Sequence, residues 1–233
     1  MTVWQKISDV AGAVGGAGSG LLGDLAHVFG LEHNGAAPER DVAFTIGVVA
    51  LSAKMAKADG VVSPLEVEAF NKVFQASPSE ADNISRVFKL AKQDVAGYEA
   101  YADEIAKLLE DDRKLLQDVL EGLLHVAAAD GVLHPNEDAY LSDVAARFGF
   151  SASEYRFFRA RFISDGCNPY DVLKLSPAAT DAEIRAQHRM LVVDNHPDKL
   201  MGRGVPAEFV EIATRKLAAI NAAFDIIAKE RGL

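Results

Sequence analysis

Beyond position 40, apolar residues recur at intervals of three and four through most of the chain, a spacing that predicts amphipathic helices and an all-α fold. The clearest pair of helices lies in the last quarter. Thr180-Asp-Ala-Glu183 reads as a capping box, in which a threonine oxygen serves the first free helical amides and a glutamate reaches back, so a helix starts at about Asp181. Its inward stripe is Ile184, His188, Leu191 and Asn195. Pro197 has no amide donor and pushes His196 out of the α region, so that helix ends there and the chain turns. A second helix is predicted from Pro206, a suitable first-turn residue, with Phe209, Ala213, Leu217, Ile220, Phe224 and Ile227 on one face. Neither helix can bury its face alone. They are therefore expected to pack as a hairpin whose tip presents His196, Pro197, Asp198 and Lys199.

The middle of the chain contains an internal repeat. Lys57-Ala-Asp-Gly-Val-Val-Ser-Pro-Leu-Glu66 recurs as Ala128-Ala-Asp-Gly-Val-Leu-His-Pro-Asn-Glu137, each copy between two apolar helical stretches, which implies two equivalent helical hairpins. Phe44, Val48, Leu51 and Met55 lead into the first turn, and Leu116, Leu120, Leu123, Leu124 and Val126 into the second. Val67, Phe70, Val73 and Phe74 follow the first turn, and Leu141, Val144, Ala145 and Phe148 follow the second. These are core stripes. The paired Asp59, Glu66, Asp130 and Glu137 raise the question of a metal, but each loop is too short for an EF-hand and its glycine directly follows the aspartate. Helix punctuation is the preferred reading. Gly60 and Gly131 can adopt the left-handed conformation that closes a helix, and Ser63-Pro-Leu-Glu66 is a capping box, with His134 replacing the serine in the second copy. No metal or cofactor is expected.

Asn168-Pro-Tyr-Asp-Val-Leu-Lys-Leu175, Ala182-Glu-Ile-Arg185, His196-Pro-Asp-Lys-Leu200 and Ala219-Ile-Asn-Ala-Ala-Phe224, in that order, resemble a J domain, the module with which DnaJ-type co-chaperones stimulate the ATPase of a DnaK-type chaperone. The resemblance implies that His196, Pro197, Asp198 and Lys199, with Arg185 and Arg189 on the preceding helix, bind that chaperone and carry no covalent chemistry. Elementary chemistry fits this role. Asp198 can accept a charge-assisted hydrogen bond, Pro197 lowers the entropy of holding the tip, and His196 can pack and hydrogen-bond at once. One departure stands out: Met190, Val192, Val193 and Asp194 occupy helix positions where J domains commonly carry basic or polar residues.

The repeat region resembles the tellurite-resistance TerB family of all-helical domains. The combination, together with His196-Pro-Asp-Lys-Leu-Met-Gly-Arg-Gly-Val-Pro206, resembles the bacterial DnaJ-like protein A family of co-chaperones. The expected organisation is a glycine-rich segment and linker over 1–40, a TerB-like domain over 41–163 and a J domain over 168–233. The TerB-like domain is then an adaptor for a client or partner that the sequence does not name. A different reading, a stress-response metal-binding or envelope-sensing protein with a vestigial J domain, is told apart by whether the protein accelerates ATP hydrolysis by a DnaK-type chaperone.

Charge separates the two halves. The whole formal charge of −10 lies before Asn168, where 15 basic face 25 acidic residues, while the J segment carries nine of each. Nucleic acid is disfavoured as a partner, and electrostatic steering by the J segment is weak. A single cysteine, Cys167, and six histidines without zinc spacing point away from disulfides and structural zinc, towards a reducing, cytoplasmic compartment. Gly12, Gly16 and Gly20 form a small-residue ladder in an apolar stretch, so residues 2–31 are a candidate inner-membrane attachment, although Asp24 and His27 make a full span costly.

Overall fold

The computed structural model describes residues 40–58, 97–128, 132–163, 168–202, 205 and 210–233. The glycine ladder, the first Asp-Gly turn with Asp59 and Glu66, and Asp130 with Gly131 lie outside the described residues. Among those described, every regular element is a helix, as the periodicity predicts. None of these helices is long and apolar enough to cross a membrane.

Among the described residues, the first half holds α1 (Arg40–Ala58), α2 (Tyr98–Leu108), α3 (Arg113–Ala127), α4 (Pro135–Arg147) and α5 (Ala152–Arg159). Helix α3 is central, packed on α1, α4 and α5. Its start is fixed locally, since Asp112 accepts a hydrogen bond from the Leu115 amide at 3.0 Å. Leu116, Leu120, Leu123 and Leu124 meet Val48, Leu51 and Met55 of α1, Leu141, Val144 and Ala145 of α4, and Phe148 at the end of α4, in one core along the expected stripes. Tyr140 on α4 donates to the Leu51 carbonyl at 2.8 Å, which ties α4 to α1 without leaving a buried hydroxyl unpaired. Helix α4 begins at the second repeat turn, and there the Glu137 carboxylate accepts from the His134 amide at 3.0 Å, the punctuation role assigned to that glutamate. Between α4 and α5, Gly149 takes a φ of +79°, open to glycine at little cost, and Ser151 and Glu154 form a capping box at the start of α5.

The second half contains α6 (Pro169–Val172), α7 (Asp181–Asp194), α8 (Pro197–Gly202) and α9 (Val210–Arg231). Helix α7 starts at the predicted capping box, with the Thr180 amide donating to Glu183 at 2.7 Å and the Glu183 amide to Thr180 at 3.3 Å. Ile184 and Leu191 face inward onto Ile220, Ala223 and Ile227 of α9 and onto Tyr170, Val172 and Leu173 at α6. Asn195 is buried and donates to the Leu191 carbonyl at 2.8 Å, closing the helix. Arg231 clasps the beginning of this unit, bonding the Tyr170 hydroxyl at 2.8 Å and the Ala179 carbonyl at 2.6 Å.

Two expectations change. The tripeptide does not sit in an open turn, because Pro197 begins helix α8, in which the Lys199 and Leu200 amides donate to the His196 carbonyl at 2.9 and 3.2 Å. Proline stops a helix from within but suits the first helical position, where its missing amide is an orphan anyway. The stripe on α9 is also redrawn. Ala213, Ile220 and Ile227 are buried as expected, Leu217 and Phe224 only partly, and Lys216 is fully buried among them. Phe209 lies outside the described residues.

Candidate docking surface

The six residues singled out from the sequence fall along α7 and the start of α8. Arg185 and Arg189 are four apart, on the outer side of α7, and both are exposed. At the end of the helix, His196 and Asp198 have side chains 55% and 79% exposed, so the tip is presented to solvent and is not part of a core. His196 Nδ1 accepts from the Asp198 amide at 3.3 Å and lies 3.5 Å from its carboxylate, so histidine and aspartate are held side by side over the first turn of α8. Leu200 is the buried anchor of that turn, 3% exposed. Lys199 is placed differently from the two arginines, because its ammonium donates to Asp194 at 3.0 Å across the break between α7 and α8. Its charge is locally matched.

The outer side of α7 is mixed. Met190 and Val193 are 48% and 54% exposed beside the arginines, so the departure noted in the sequence is a surface property of the helix. On the inner side His188 stacks on Phe224 with ring centroids 4.1 Å apart and bonds Asn221 at 2.9 Å. Such a surface, with a fixed carboxylate, an imidazole, two guanidinium groups and apolar patches, is suited to recognition of a folded partner.

Sequence reasoning missed a second group of charged residues, buried where the two halves meet. Glu121 of α3 accepts from Gln117 at 2.9 Å and Arg161 at 3.3 Å, and it forms a close ion pair with Lys216 of α9. Asp118 stands 3.9 Å from the same ammonium. Burial opposes ionisation of Glu121, but Lys216 and Arg161 outweigh it and hold the carboxyl at about 2. Nearby, Lys174 lies 4.7 Å from the centre of the Phe158 ring, and burial, reinforced by Arg161, brings its pKa down to about 8. The one sequence signal was a lysine on an inward stripe, four residues from Ile220 and three from Ala213.

Two family models match the chain in order. That described as tellurite resistance protein TerB covers residues 45–160, and that described as DnaJ domain covers residues 168–231. An exposed His-Pro-Asp tip on a DnaJ domain that follows a TerB domain defines a DnaJ-type co-chaperone. Three co-chaperones align with the chain through most of their length. The co-chaperone protein DjlA of Coxiella burnetii is 30% identical over 200 residues, covering 77% of this chain and 74% of that protein. DjlA of Photobacterium profundum is 29% identical over 221 residues, covering 83% and 80%. DjlA of Escherichia coli K12 is 26% identical, covering 100% of this chain and 99% of its own. The chain belongs to the DjlA family of co-chaperones. No solved structure matches it.

Proposed function

We propose that the protein docks the tip formed by His196, Pro197 and Asp198 on a DnaK-type chaperone and stimulates its ATPase, without being an enzyme itself. Arg185 and Arg189 extend the docking surface along α7, and Lys199 closes it. The TerB half serves as the adaptor that brings a client or a further partner to the chaperone, and the protein works in the cytoplasm, with residues 2–31 as a candidate attachment to the inner membrane. The observation that carries this reading is the exposure of His196 and Asp198: their side chains reach solvent while Asn195 and Leu200, on either side of the tripeptide in sequence, are buried.

The test is single-turnover ATP hydrolysis by a DnaK-type chaperone with and without the full chain. Stimulation is expected from the unaltered protein and is lost in His196→Gln and in Asp198→Asn. Both residues are exposed: Asp198→Asn changes stability by no more than about 0.5 kcal/mol, and His196→Gln, which gives up the bond from the Asp198 amide, by about 0.5–2 kcal/mol. A folded variant that still stimulates overturns the assignment. Replacing Arg185 and Arg189 with alanine should weaken docking and reduce its dependence on salt.

A further inference from the structure

We propose that the TerB half fixes the orientation of the docking tip, with Glu121, Arg161 and Lys216 as positioning residues that lock the two domains into one unit. For its effect on a chaperone this rests on the function proposed above; the lock itself does not.

Three sets of contacts carry it. The first is ionic. Lys216 of the J domain is wholly buried and pairs with Glu121 of the TerB half, itself wholly buried. Arg161, at the end of the TerB half, completes the exchange in the other direction. Its Nη1 donates to Glu121 at 3.3 Å and its Nε to the Val172 carbonyl of α6 at 3.3 Å. Charges removed from water are tolerated only where the partners stand in one geometry, so this cluster penalises every arrangement of the domains except one. The second set is apolar. Helix α9 runs through both cores: Ile212 and Ala213 belong to the TerB-side core, and Ile220, Ala223 and Ile227 to the J-domain core. Leu200 and Val205 also join the TerB-side core together with Ile212 and Ala213, so the turn that starts with Pro197 is tied to that core by way of α9. The third set surrounds the junction. Arg215 donates to the carbonyls of Ala128 at 3.1 Å and Phe162 at 3.0 Å, and Arg156 stands 3.6 Å from Asp171. None of these residues belongs to the docking surface, so they act on it through position alone.

The lock is tested in the full chain, in a Cys167→Ser background, with nitroxide labels introduced by Lys107→Cys on α2 and Ala186→Cys on α7, both exposed positions. Pulsed electron resonance should give one narrow distance for the parent and a broad, multi-peaked distribution for Lys216→Met and for Glu121→Gln. Should either variant fail to fold, Ile212→Ala loosens α9 on the TerB-side core without touching the charges or the tip, and the same broadening is expected. In ATPase titrations the three variants keep the maximal stimulation. If the locked orientation falls to about a tenth of the population, the chaperone concentration for half-maximal effect rises about tenfold. A broad distribution in the parent, or one as narrow in every folded variant as in the parent, overturns the lock. A narrow parent distance broadened by the variants, in a protein that does not stimulate the chaperone, leaves the lock standing and removes the functional reading.

Discussion

Two isoleucines six residues apart on α9 provide a controlled measurement of the J-domain core. Ile220 is completely buried against Ile184 and Leu191, whereas Ile226 is 56% exposed. Changing either to alanine deletes the same three carbons and brings the same gain in helix propensity, so the difference between the two variants isolates packing. Removing three buried carbons costs about 2.4 kcal/mol at about 0.8 kcal/mol each. The cavity left behind adds to that, and Ile220→Ala should cost about 3–5 kcal/mol in all. Ile226→Ala should stay within about 0.5 kcal/mol of the parent. Phe224→Ala should fall between them, because that ring is half-buried and leans on His188 rather than filling the centre of the core. Urea unfolding followed by circular dichroism at 222 nm reads all three. If Ile220→Ala costs no more than Ile226→Ala, α9 is rotated relative to the face described and the core has been drawn wrongly.

Further outcomes follow from the charges. Burial, with Arg215 adding to it, lowers the pKa of His125 from its ordinary 6.5 to about 4, so the folded state resists a proton that the unfolded chain accepts. Stability should therefore fall as pH drops from about 6.5 to about 4, by about 1.4 kcal/mol per pH unit, and His125→Phe should flatten that slope; an unchanged slope refutes the assignment. Glu121, held at about 2 instead of 4.5, adds a second loss as pH falls from about 4.5 through 2, which Glu121→Gln removes from the pH profile. For the acidic turns, adding calcium, magnesium or zinc should leave the Tm unchanged, since Glu137 already caps α4. A specific ion at a hundredfold its Kd would add about 2.7 kcal/mol, and such a shift, abolished by Asp59→Asn with Asp130→Asn, would reverse the punctuation reading.

What could be read from the sequence was what is decided locally. The start of α7 follows from Thr180 and Glu183, two side chains that satisfy each other's amides within one turn, and tertiary context does not alter that chemistry. The exposure of His196 and Asp198 follows from the stop imposed by Pro197. The same proline has two roles, ending one helix and suiting the first position of the next, and only the first is decided by its own chemistry. The face of α9 was less legible for a different reason. A 22-residue helix that serves two cores does not keep one stripe: Leu217 and Phe224 lie on the predicted face yet are only partly buried, and Lys216, beside it, is fully buried. A charged residue in sequence is read as solvated by default. Only the arrival of Glu121 from 95 residues away makes its burial tolerable, and no local pattern encodes that meeting.

Because α9 is common to both cores, the order in which the chain is made acquires a meaning. A ribosome delivers Glu121 and Arg161 well before Lys216, and it completes the TerB helices before Ile212 and Ala213 exist to cover them. Domains made first ordinarily fold first. Here the earlier half must wait with an apolar face uncovered and a buried carboxylate short of one cation until the J domain has left the exit tunnel. A nascent chain halted at position 163 therefore resembles a client for a chaperone more than a finished adaptor for one.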